Sequence, residues 1–268
     1  MIEWFKTLPH EVQALIATLF TWGVTALGAS LVFFFKKVSK NIMDSMLGFA
    51  AGIMISASFW SLLNPAAEMA KELNLKVSLV LCIGFLLGGL LLFINDKFFD
   101  CCEKKIKHTK EKISCYKRIT MLISSITLHN IPEGLAVGFA FGSLGYGLEG
   151  ATLTNALMIA LGIGLQNFPE GTAVSVPLRR EGFSRKKAFF YGQLSGIVEP
   201  ISGFLGALLV MKVRYMLPFL LAFAAGAMIY VVIQELIPES QTNKNKSVMA
   251  IFTLIGFSIM MLLDISFG

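Results

Sequence analysis

Two runs, His129-Asn130-Ile131-Pro132-Glu133-Gly134-Leu135-Ala136-Val137-Gly138 and Gln166-Asn167-Phe168-Pro169-Glu170-Gly171-Thr172-Ala173-Val174-Ser175, decide how this chain is read. Laid over one another without gaps, they repeat Asn, Pro, Glu, Gly, Ala and Val at the same offsets. Each lies within an apolar run of membrane length. A carboxylate next to a proline is costly there for two reasons. The charge resists leaving water, and the proline removes a helix hydrogen bond. The same cost in two segments points to a site, and the rest of the chain is read for what surrounds it.

Composition sets the environment. The chain has 268 residues, 55% of them hydrophobic and only 15% charged, with a mean hydropathy of +0.71. Soluble domains carry about 25% charged residues. The apolar runs are continuous rather than short and alternating, so they imply membrane-spanning helices and argue against a β-barrel. A net charge of +6 invites a nucleic-acid partner. The basic residues, however, are divided among short loops with no Arg-rich arm or aromatic-basic patch, which argues against nucleic acid. The stretch from Met1 to Gln13 leads into a membrane-length run and shows no short apolar core with a cleavage site, so it does not read as a cleaved signal.

Eight spans are expected, at about 12–35, 42–63, 77–94, 119–141, 150–178, 188–210, 216–237 and 248–267, within one transmembrane domain covering residues 1–268. One set of alternate loops holds Lys36, Lys37, Lys40, Lys97, Lys104, Lys105, Lys107, Lys110, Lys112, Lys117, Arg118, Arg179, Arg180, Arg185, Lys186, Lys187, Lys244 and Lys246. The other holds only Lys6, Lys71, Lys76, Lys212 and Arg214. By the positive-inside rule both termini lie outside, and the basic loop 95–118 is cytoplasmic. Of the four cysteines, Cys101, Cys102 and Cys115 sit in that loop, where a disulfide framework is not expected.

A second self-similarity joins the second and seventh spans. Phe49-Ala50-Ala51-Gly52-Ile53-Met54-Ile55 matches Phe223-Ala224-Ala225-Gly226-Ala227-Met228-Ile229 at all but one position. Each is followed by a proline (Pro65, Pro238) and then an acid (Glu68, Glu239). With eight spans, two and seven run in opposite directions, as do four and five. The expectation is an inverted 3+2+3 repeat with the two opening runs at its centre, where transporters place their binding sites.

Helical spacing puts His129 and Glu133 on one face, with Asn130 about 100° round. Gln166, Asn167 and Glu170 repeat the arrangement. Pro132 and Pro169 leave the carbonyls of Leu128 and Leu165 without helix donors. Gly134 and Gly171 allow another backbone to come close. Together the faces assemble one imidazole, two carboxylates and three amide oxygens. That set fits a divalent transition metal, and the lack of a cysteine argues against a closed structural zinc site. One ion can be shared by His129, Glu133, Gln166 and Glu170. A second can sit at Asn130 and Asn167, with the same glutamates as bridges. Glu199, in the run Gly196-Ile197-Val198-Glu199-Pro200, can complete that second position. Gln193 and Ser195 read as helix-packing hydrogen bonds rather than ligands.

These motifs resemble the ZIP family of divalent-metal transporters. The resemblance rests on His-Asn-x-Pro-Glu-Gly in the fourth span, x-Asn-x-Pro-Glu-Gly in the fifth, and eight spans with outside termini. The run Gln166 to Leu178, with Glu235-Leu236-Ile237-Pro238-Glu239, resembles its GufA-like branch. It implies a two-metal site at the residues above and uptake of zinc toward the cytoplasm, with iron(II), manganese(II) or cadmium(II) as alternative ions. It also implies an elevator-like movement of spans one, four, five and six against the others, often within a homodimer. The membrane implied is the bacterial inner membrane or, in a eukaryote, the plasma or an organelle membrane. Many members carry His where Gln166 stands, and some carry Asp where Asn167 stands. Each departure removes a strong ligand and bears on which metal is preferred.

Acids at the outer end of the second span come first on an entry path. Glu68, beside Asn64 and Pro65, is the candidate there, while Glu72 and Glu149 read as solvated loop charge. The resemblance gives Met54 a soft thioether contact to the first ion. By itself, a methionine at this spacing reads as core packing. Gln234, Glu235 and Glu239 end the seventh span and can guide release. Cys101, Cys102, His108 and Cys115 offer thiolates and an imidazole in the basic loop, but their spacing fits no zinc motif. A metal-gated channel uses the same ligands. An intramembrane metallohydrolase has less support, because no His-Glu-x-x-His occurs and the acids are already ligands.

Overall fold

Where water is excluded, backbone groups must pair within their own segment, so membrane-length apolar runs become helices. The computed structural model describes residues 2–34, 39–105, 127, 130–146, 151–180 and 182–267. Among them there is no strand. In chain order the helices are α1 (Ile2–Lys6), α2 (His10–Ala29), α3 (Leu31–Phe34), α4 (Lys40–Ala57), α5 (Asn64–Glu72), α6 (Val77–Lys105), α7 (130–143), α8 (Leu153–Arg180), α9 (Arg185–Leu194), α10 (Val198–Leu208), α11 (Val210–Val231), α12 (Ile237–Ser240) and α13 (Lys246–Phe267). Five stretches of described helix are long and apolar enough to cross a membrane: His10–Phe34, Lys40–Glu72, Val77–Phe98, Arg214–Ser240 and Lys246–Ser266. The chain is an all-α, multi-pass membrane protein.

Several elements depart from their expected bounds, each for a backbone reason. The second and seventh spans do not stop before Pro65 and after Ile237. A wide π turn, Ser58–Leu63, joins α4 to α5, and another, Val232–Leu236, joins α11 to α12. In these turns Asn64 N–H donates to Phe59 O and Ile237 N–H to Val232 O, five residues back. The shifted ladder lets each helix run on past a proline that has no N–H to give. The third span continues to Lys105, so the first part of the expected basic loop is helical. Residues 106–118, with His108 and Cys115, lie outside the described residues, as do His129 and Glu149.

The sixth span is broken. α9 ends at Leu194, residues 195–197 form a turn, and α10 begins at Val198. Pro200 cannot donate to Gly196 O, and Glu199 N takes that carbonyl instead at 3.0 Å. The break frees backbone carbonyls beside Glu199 and places that carboxylate in the first turn of α10, where the helix dipole favours negative charge.

Glycine sets the packing, because helices in a membrane associate through close backbone contact rather than water exclusion. Gly134, Gly138 and Gly142 on α7 lie against Glu199, Gly203 and Ala207 on α10 at the same four-residue spacing. α2 packs on α8, where Gly28 meets Phe168 and Gly171 meets Thr25. α4 packs on α13 and α6 on α11. In these two pairs the self-similar runs meet alike: Gly256 faces Phe49 O, and Gly88 faces Phe223 O.

One apolar cluster joins α4, α8 and α11 through Met54, Val174, Leu221 and Met228. A second joins α2, α7, α8 and α10 through Ala14, Val137, Phe141, Ala160 and Ala207. α6 and α13 instead turn large apolar side chains outward, among them Leu86, Phe93, Leu254 and Leu262.

Candidate metal centre

The polar cluster lies among α2, α7, α8 and α10. Asn130, Glu133, Gln166, Asn167, Glu170 and Glu199 are each 0% exposed. An ionised carboxylate can only accept hydrogen bonds. Gln166 therefore turns its Nε2 to Glu133 Oε1, which ties the two opening runs together. Asn167 gives its Nδ2 to both oxygens of Glu199, at 2.9 and 2.8 Å, and to Thr21 O at 3.2 Å. Asn130 gives its Nδ2 to Ser195 O, a carbonyl exposed by the break in the sixth span, at 3.1 Å. Gly196 leaves room for the Glu199 carboxylate, since a Cβ there would lie 3.1 Å from its Oε1.

What remains is a set of oxygens. Asn130 Oδ1, Glu133 Oε2, Gln166 Oε1 and Asn167 Oδ1 are buried and accept no hydrogen bond among the described residues. Glu133 lies within electrostatic range of Glu170 and Glu199, and Glu199 within range of Glu170. Neither Glu133 nor Glu199 has a basic partner among the described residues. Among those residues no group of three His, Cys, Asp or Glu side chains is gathered for a metal ion. The cluster draws its further donors from amides, and His129 lies outside the described part. Buried acids without cations, together with unpartnered amide oxygens, form an arrangement that a divalent cation satisfies and that apolar packing does not.

The chain matches the family model described as "ZIP Zinc transporter" over residues 100–264. It is 40% identical to the zinc transporter ZIP11 of Xenopus tropicalis, across 96% of this chain and 98% of that protein. The chain belongs to the ZIP family. It is also 33% identical to the zinc transporter ZIPB of Bordetella bronchiseptica, over 97% of this chain and 82% of the relative. Likewise it is 33% identical to the zinc transporter GufA of Myxococcus xanthus, over 95% and 98%. ZIP proteins are transporters rather than enzymes, which sets aside the metallohydrolase.

The outlying candidates fall elsewhere in this ZIP chain. Met54 is buried in the apolar cluster of α4, α8 and α11, where Ser58 Oγ reaches Met54 O at 2.7 Å and Met228 Sδ at 3.1 Å. Glu68 and Gln234 are exposed, and Glu235 is half-buried. Glu68 lines a cavity of about 450 Å³ together with Ser61, Asn64, Asn155 and Asp264. The cavity runs along α8 past Gly162 to Leu165, next to Gln166.

Three residues near these sites escape a reading by motif. Asp264 accepts from Ser61 Oγ at 2.8 Å. Its signal was available, as an isolated acid in an apolar run. Asp44 is wholly buried and accepts from Asn243 Nδ2 at 2.8 Å, pinning α4 to the turn before α13. Thr21 donates to Glu199 Oε2. A threonine in an apolar helix gives no sign of that, because its importance comes from the neighbour it meets.

Proposed function

We infer that this ZIP chain carries zinc, or a similar divalent ion, toward the cytoplasm through a two-ion midplane site by alternating access. The observation that carries this reading is four buried oxygens, Asn130 Oδ1, Glu133 Oε2, Gln166 Oε1 and Asn167 Oδ1, that accept no hydrogen bond among the described residues and share one cluster with the buried Glu170 and Glu199. The first ion takes His129, Glu133, Gln166 and Glu170. The second takes Asn130, Asn167 and Glu199, with Glu133 and Glu170 as bridges. The relatives' printed names support zinc as the cargo.

The topology proposed is eight spans in an inverted 3+2+3 repeat within a single domain, with both termini outside. Matched π turns before Pro65 and Pro238 support it, as do the matched glycine contacts at Phe49 and Phe223. α2, α7, α8, α9 and α10 form the moving body, and α4, α6, α11 and α13 form a scaffold that presents apolar surface to lipid and to a second copy. Glu68 and Asp264 receive the ion in the outer cavity. Gln234, Glu235 and Glu239 lie along the exit. The plasma membrane, the inner one in a bacterium, is the proposed location.

Replacing Glu133 or Glu170 with Ala is expected to abolish zinc flux into proteoliposomes while the protein remains folded. Flux at the wild-type level in either variant would refute the site. Saturation at low zinc distinguishes a carrier from a channel, which conducts in proportion to concentration.

A further inference from the structure

The three buried acids are not equally available. Asn130 and Asn167 hold equivalent places in the two runs, and each donates to a carbonyl on a neighbouring span, Ser195 O in the break of the sixth or Thr21 O on α2. The following glycines also match, Gly134 facing Glu199 and Gly171 facing Thr25. The repeat thus has a carboxylate on one side and a threonine on the other. That single carboxylate is already engaged. Asn167 Nδ2 bonds both its oxygens, and Thr21 Oγ1 bonds Oε2.

The Thr21 hydroxyl has one proton and two acceptors within reach, Glu199 Oε2 and Thr18 O, the latter at 3.0 Å. Threonine in a helix readily turns its hydroxyl back to such a carbonyl. Thr21 can therefore leave Glu199 without leaving its own proton unpaired in an apolar interior. By contrast, Glu133 gives only one oxygen to a described partner.

We propose that Thr21 is a positioning residue that governs filling of the second metal position. It holds Glu199 while that position is empty and turns to Thr18 O when an ion claims the carboxylate. The idea rests on the two-ion reading above. The second ion must displace a hydrogen bond to a charged group, so the second position fills only after the first. Thr21→Val keeps the shape and removes the donor. Glu199 then keeps Asn167 alone and meets the ion with one fewer competitor. From the strength of hydrogen bonds to charged groups, the second ion should bind about tenfold more tightly.

The test is calorimetric titration of the purified full chain with cadmium or zinc ions. Wild-type protein should show a stronger and a weaker event. In Thr21→Val the weaker event should tighten about tenfold with the stronger unchanged. Thr21→Ser, which keeps the donor, should restore wild-type behaviour, and Glu199→Gln should lose the weaker event only. A weaker event that is unchanged or further weakened in Thr21→Val overturns the role of Thr21 and leaves the two-ion reading standing. Loss of the stronger event in Thr21→Val makes Thr21 a structural support and likewise overturns its role. The absence of a second event in wild type and Thr21→Val alike overturns the two-ion reading and this proposal with it.

Discussion

Adding a single methyl group at Gly171 tests the backbone approach that builds one wall of the candidate metal centre. A Cβ there would land on the carbonyl oxygen of Thr25 and would lie 2.9 Å from both Thr25 C and Ala29 N. The nearest atom, Thr25 O, would lie only 2.0 Å away and ordinary contact begins at 3.4 Å, so α2 must retreat from α8 by about 1 Å or more. Both partners are backbone, so no rotamer can absorb the overlap. Overpacking of this kind costs about 1–3 kcal/mol, and a rigid backbone contact belongs in the upper part of that range. The helix propensity gained from glycine to alanine returns about 1 kcal/mol.

Gly23→Ala is the matched control. It lies on α2 with nothing within 4 Å of its Cβ, so it receives the propensity gain without the clash. The two variants should therefore differ in stability by the clash itself, about 2–3 kcal/mol. The site should suffer as well, because the Asn167–Thr21 bond, now 3.2 Å, would stretch past hydrogen-bonding distance. Thermal unfolding of the purified protein, followed by tryptophan fluorescence, measures the first effect, and zinc uptake into vesicles measures the second. If Gly171→Ala unfolds no earlier than Gly23→Ala, the close passage of α2 along α8 is refuted.

Two further outcomes follow from particular contacts. Gln166→His, which supplies a neutral imidazole in place of an amide oxygen, should raise zinc affinity at the proposed first position about tenfold. An unchanged affinity by calorimetry would remove Gln166 from the ligand set. Asn243→Ala takes a donor from the wholly buried Asp44 carboxylate and should cost about 2–3 kcal/mol. A melting curve that matches wild type would show that this contact does not pin α4 to the turn before α13.

Much of the candidate site could be read from residue types, because an acid, an amide and a proline within an apolar run are each expensive, and expense is visible without coordinates. Glu133, Glu170, Asn130, Asn167 and Gln166 stood out for that reason, and so did Glu199 beside Pro200. Helix ends were less legible. Pro65 reads as a stop, yet a π turn carries the helix through it, and the run from Ala188 reads as continuous although it breaks at residues 195–197. Both outcomes depend on hydrogen-bond register, which proline constrains without fixing.

Composition, charge asymmetry and the paired Pro-Glu-Gly motifs by themselves determined an all-α membrane protein with a polar centre, and they pointed to the ZIP family. Solvation is the reason. A chain this apolar must close its backbone bonds in helices, and charges retained inside it need a purpose. Only the tertiary structure decided which donors face which acceptors. It pairs Gln166 with Glu133, turns Asn167 and Thr21 onto Glu199, and leaves Asn130 Oδ1, Glu133 Oε2, Gln166 Oε1 and Asn167 Oδ1 without partners among the described residues. Those pairings join residues on different helices, and they follow from how closely glycine lets the backbones approach, a distance that no local pattern encodes.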